Sequence, residues 1–99
     1  MKVKDVSHSL FPAPEILYQD NEFAVAWGTY ADHGKRLAMR WTGKQSDPKD
    51  KGYPKLFDNP VWFIITPSIA SGIILSLIDK KGSQNKKLLA ALADALDMQ

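Results

Sequence analysis

Asp32 and His33 are adjacent in the chain and would serve as a general base oriented by a carboxylate. Gly34 follows them, however, and Asp with a second polar residue ahead of Gly is what a tight hairpin turn needs whatever the function. Turn chemistry accounts for both residues, and no catalytic role is assigned to them. His8 stands apart, and two separated histidines without paired carboxylates do not make a metal site. The chain has no Cys, which removes disulfides, thiolate catalysis and sulfur-ligated metals together. It also lacks a Gly-rich phosphate loop, a nucleophile elbow and a helix-turn-helix signature, so the sequence points to no catalytic residue, cofactor or metal.

A more suggestive set is Tyr30, Arg36 and Arg40, which alternation places on one face of a hairpin beside Ala26, Gly28 and Ala38. Guanidinium groups bind phosphates and carboxylates bidentately, so a planar ligand, a phosphate or another protein's carboxylates could dock on this face. An ordinary solvated face is the competing reading. Small residues are odd on such a face, where Thr, Lys or Glu are expected, so something is expected to cover it. Tyr30, Arg36, Arg40, Gly28 and Ala38 are therefore the candidate binding or interface residues.

The element that must position them is the stretch from Glu22 to Gly43, EFAVAWGTYADHGKRLAMRWTG. Two alternating runs flank Asp32-His33-Gly34, and a three-residue loop with Gly last suits a type I turn followed by a left-handed residue. That loop predicts Thr29 opposite Leu37, Trp27 opposite Met39 and Val25 opposite Trp41, with Tyr30 beside Arg36, Gly28 beside Ala38 and Ala26 beside Arg40. A loop of His33-Gly34 alone would mix polar and apolar residues on each face. Glu15 to Gln19 is a shorter strand candidate. Residues 1–14 hold two prolines and little pattern, and read as a loose arm. Residues 43–60 are polar, with three prolines and no periodicity, an unusual length for a loop that is either functional or mobile. Lys44, Lys49, Lys51 and Lys55 interleave there with Tyr53 and Phe57, whose rings are expected to pin the loop to the core.

Val61 to Ile78 contains no charge over 18 residues, at the lower edge of a membrane-spanning length. Thr66-Pro67 splits it, as an N-cap followed by Pro at the first helical position. The expected result is a strand over Val61–Ile65, apolar on both faces and inside the sheet, then a helix from Pro67 to about Lys80, with Gly82 just past its end. Ser83 then caps a second helix running to about Asp97. Its charges oppose the macrodipole, with Lys86 and Lys87 in the first turn and Asp94 and Asp97 near the end. The stripe Leu88, Leu89, Leu92, Ala95, Leu96 must therefore find a docking surface, in this chain or in a partner's. Leu89, Leu92 and Leu96 are the candidate oligomer helix.

The expected architecture is a single α+β domain over residues 1–99: a small antiparallel sheet of three to four strands around hairpin 22–43, followed by two C-terminal helices. The sheet's apolar face (Phe23, Val25, Trp27, Leu37, Met39, Trp41) is expected to receive the first helix. At 44% hydrophobic and 24% charged residues the composition is that of a globular domain, and a net charge of +2 is too small to argue for nucleic acid by itself. No stretch near the start is apolar enough for a signal peptide, which makes a cytoplasmic location the default expectation.

The phrases FAVAWGTY, GKRLAMRW and GYPKLFDNPVWFIITP together resemble small bacterial proteins encoded in mobile integron gene cassettes. The resemblance spans about Ile16 to Ile78 and implies a prokaryotic accessory protein; no catalytic residue is carried over from it. The first expectation for function is a non-enzymatic binding or interaction module acting as a homo-oligomer, most simply a dimer. An alternative is nucleic-acid binding through Arg36, Arg40, Tyr30 and the loop lysines. A third is a small-ligand binder or enzyme with its pocket under loop 43–60.

Overall fold

The computed structural model describes residues 1–98. Strands β1 (Glu15–Gln19), β2 (Phe23–Thr29), β3 (Lys35–Trp41) and β6 (Phe63–Ile65) form one antiparallel sheet in the order β1-β2-β3-β6. A small ribbon, β4 (Lys55–Leu56) and β5 (Asn59–Pro60), lies within the long loop. Helices α1 (Pro67–Leu77) and α2 (Asn85–Asp97) follow the sheet, so the chain has the α+β fold that its patterning predicts.

The hairpin keeps its faces but not its expected register. Trp27 pairs with Leu37, Val25 with Met39, Gly28 with Arg36 and Ala24 with Arg40. The turn begins one residue early: the Tyr30 amide donates to the Gly34 carbonyl at 2.9 Å, and Ala31 adopts a left-handed φ of 47°. Ala31 is held there by donating its amide to the Leu10 carbonyl at 2.7 Å, a contact from outside the hairpin. The register thereby moves by two residues on the pair, and because side chains alternate with period two, each keeps its side of the sheet.

One side packs against the helices. Leu17, Val25, Trp27, Leu37 and Ile65 form a core with Ala70, Ile74 and Leu77 of α1 and Leu88, Ala91 and Ala95 of α2. The sheet thus receives both helices. α1 starts at Pro67 behind Thr66, which divides the apolar stretch as expected, and it ends at Leu77, before Lys80. Asp79, with φ 67°, turns the chain away from the helix. The Ser83 hydroxyl donates to the Leu77 carbonyl instead of capping α2. Residues 82–84 lie along β1: the Gln19 amide donates to Gly82 at 3.1 Å and the Gln84 amide to Leu17 at 2.8 Å. α2 docks within its own chain through Leu88, Ala91 and Ala95, while Leu92 is half-buried and Leu89 and Leu96 are exposed.

The other side carries a second core, and residues 1–14 are not loose. Val3, Val6 and Phe11 are buried against Ala24, Ala26, Ala38 and Trp62. The Trp62 indole donates to the Val6 carbonyl at 3.0 Å. A Cβ at Gly28 would stand 3.0 Å from the Pro14 Cβ and 3.2 Å from the Phe11 ring, so the small residues are the shape of the surface on which the arm lies.

β6 also differs from expectation. Val61 and Trp62 lie outside the ladder, and Phe63–Ile65 form a short edge strand beside β3, not an interior one. The Val61 amide turns instead to the Pro54 carbonyl at 3.1 Å. Among the described residues no helix is long and apolar enough to cross a membrane.

Candidate functional site

The end of the sheet that the helices leave uncovered forms an apolar groove of about 300 Å³. Phe23 at the start of β2, Met39 and Trp41 at the end of β3, and Phe63 and Ile65 on β6 line it, with Tyr53 and Pro54 closing one side. Arg40 also borders it, and the other strand residues have odd numbers and face the helix side, but the helices pack on the part occupied by Trp27, Leu37 and Ile65. Beyond that part the ladder continues and the cover stops. Trp41 is left 53%, Phe63 62% and Tyr53 64% exposed.

Local bonding holds these rings in place. Phe23 and Trp41 meet edge to face, with centroids 5.0 Å apart and planes at 71°. The Trp41 amide donates to the Tyr53 carbonyl at 2.8 Å, and the Tyr53 amide returns a bond to Trp41 at 3.3 Å. That close approach depends on Gly52, where φ is +63° and a Cβ would overlap the Trp41 carbonyl oxygen. Lys55 places its ammonium 5.1 Å from the Tyr53 ring centroid.

Beneath the groove, on the opposite side of β3, Arg40 is 1% exposed. Its guanidinium donates to the carbonyls of Lys51, Val61 and Pro54, the last at 3.3 Å. Burial pushes its pKa down to about 10, well above neutral pH, so the group stays charged. Its partners are carbonyls of residues 51–61, and it clamps that segment to the sheet instead of offering a fork to a phosphate. Asp50 works alongside it, accepting from the amides of Lys44 at 2.8 Å and Gly52 at 3.0 Å. These two backbone donors hold the Asp50 carboxyl below its ordinary value. The loop is therefore folded onto the sheet.

The loop's outer end is the β4–β5 ribbon. Phe57 and Asp58 form its two-residue turn with left-handed φ values of 51° and 64°. Lys51 bonds both the Asp58 carboxylate, at 3.0 Å, and its carbonyl, at 2.9 Å, and Lys55 lies 3.9 Å from the same carboxylate. The Lys51 bond and both ammonium charges lower the Asp58 pKa. Phe57 is 90% exposed, so neither it nor Tyr53 pins the loop to the core as expected. Arg40 does that from below.

The residues singled out from the sequence do not converge. Gly28 and Ala38 are buried under the arm, and Arg40 is buried under the loop. Arg36 is half-buried, and it donates to the neighbouring Lys35 carbonyl at 2.8 Å. Tyr30 stacks on His33 at 5.5 Å with an interplanar angle of 19°, at the opposite end of the hairpin from Arg40. The cover expected over this face is the chain's own arm and loop. Asp32 and His33 are both exposed at the tip. Among the described residues no three His, Asp or Glu side chains gather where they could hold a metal ion. Trp41, Tyr53 and Phe63 are not legible in the sequence as a site, because an alternating strand, a loop ring expected to pin to the core and a strand apolar on both faces all read as core.

Compared with known proteins, the chain finds no significant match to a family model, to a curated protein or to a solved structure.

Proposed function

We propose that this protein is a non-enzymatic interaction module that self-associates through the aromatic end of its sheet. It would serve as an accessory protein of a bacterial mobile element, in keeping with the resemblance of residues 16–78. The observation that carries this reading is the apolar groove beside an edge strand, in which Trp41, Tyr53 and Phe63 are exposed over half-buried Phe23 and Met39. Grouped exposed aromatics of this kind mark interaction sites, whereas scattered apolar residues do not. Nucleic-acid binding loses support because Arg40 spends its donors inside the chain.

The test is the absolute mass of the purified protein by size-exclusion chromatography with light scattering. A mass of twice the 11.1 kDa chain for wild type, reverting to 11.1 kDa in Phe63→Asp, is the expected result. Wild type eluting as a single chain at every concentration would refute it. A dimer that persists in Phe63→Asp but dissociates in Leu89→Asp would transfer the interface to α2.

A further inference from the structure

The β4–β5 ribbon carries Phe57 outward as an apolar tip, and the groove beside Trp41 has room for such a group. We infer that in a two-fold dimer the Phe57 ring of each copy seats in the Trp41–Tyr53–Phe63 groove of the other. The inference rests on the self-association reading and specifies its contact.

Shape is the first argument. A benzene molecule is held in an apolar cavity of roughly 150 Å³, and the groove is about 300 Å³. A benzyl side chain with part of its backbone fits that space. Presentation is the second. Phe57 occupies a left-handed position in a two-residue turn, where Asn or Gly is the usual choice. Its ring is 90% exposed, so the chain gains almost no packing from it. Lys51 and Lys55 pair with Asp58 at the base of the tip, so the carboxylate there is neutralised.

Area is the third argument. Aromatic side chains bury roughly 150–250 Å² each, so Trp41, Tyr53, Phe63 and Phe57 at their observed exposures offer about 500 Å² per copy. The two patches together come to about 1,000 Å², the size of a small, weakly associating interface, so the dimer is expected to be concentration-dependent. Knob and groove belong to one segment, since Pro54 closes the groove and Phe57 follows it in the same loop. A two-fold axis next to that loop exchanges both knobs at once and closes the assembly, which a head-to-tail contact would leave open.

The test uses Phe57→Ala and Phe63→Asp, each first checked for native circular dichroism and then weighed by light scattering. The expected result is a dimer for wild type and loss to single-chain mass for each variant. Mixing the two variants should restore a weaker dimer, because Phe57→Ala keeps an intact groove and Phe63→Asp keeps an intact knob. Phe57→Ala remaining fully dimeric while Phe63→Asp dissociates would overturn the knob-in-groove contact and leave self-association standing. A monomeric wild type would overturn both. With its ring so exposed, Phe57→Ala has almost nothing to lose in folding, so its mass decides the question even if Phe63→Asp unfolds.

Discussion

The Trp62 indole donates to the Val6 carbonyl at 3.0 Å, joining residues 56 positions apart in sequence. This bond ties the arm to the chain just before β6, and it sits within the second core. A buried donor and acceptor satisfied together contribute modestly, but orphaning either one costs about 1–3 kcal/mol.

The arm should therefore behave as core. Phe11→Ala removes a buried ring that packs on Gly28 and is expected to destabilise the protein by about 3–5 kcal/mol. Urea denaturation measures it. A change below about 0.5 kcal/mol, as at an exposed site, would mean that the arm does not pack.

Arg40→Met should free the loop. It leaves the carbonyls of Lys51 and Val61 without their donor, while Pro54 keeps the Val61 amide, with an expected cost of about 3 kcal/mol. Limited trypsin digestion would read the consequence, with cleavage after Lys44, Lys49, Lys51 or Lys55 much faster in the variant. Equal digestion rates would show that Arg40 is not the clamp.

Acid should loosen the same region. Asp50 and Asp58 both titrate below the ordinary 3.8 in the folded chain. A carboxylate lowered by folding contributes stability above its unfolded value, and loses it as pH falls through the lower folded value. The urea midpoint is thus expected to hold from neutral pH down to about pH 4 and to decline below it. In Asp50→Asn the decline should be smaller, and an identical decline in both proteins would contradict the assignment.

Two leucines on one helix should respond in opposite ways. Leu88 is fully buried between α2 and the sheet, and Leu88→Ala is expected to cost about 2–5 kcal/mol. Leu96 is exposed, and Leu96→Ser should stay within about 0.5 kcal/mol. Thermal or urea unfolding compares them directly.

Much of the fold was legible locally. Thr66-Pro67 divided strand from helix, and the period-two runs on either side of Gly34 assigned every hairpin residue to its side. The register was not legible, because Ala31 turns early on a bond to Leu10 that no local pattern encodes. The site was less legible still. Trp41 carries the same alternation as Trp27 and Leu37, Phe63 lies in a run apolar on both faces, and pattern alone cannot tell a covered apolar residue from an uncovered one.

The sequence by itself determined which residues share a face and where helices replace strands, because both follow from backbone geometry over a few residues. Only the tertiary structure decided what lies on each face. An 11-residue helix spans about 16 Å, while seven-residue strands run about 23 Å, so a helix lying along the strands would fall short of their ends. Trp41 and Phe63 lie beyond the helical cover, and Arg40, with its small neighbours, lies beneath the arm and the loop. Coverage depends on segments tens of residues away, and it is what turned the arginine face into core and part of the apolar face into a surface.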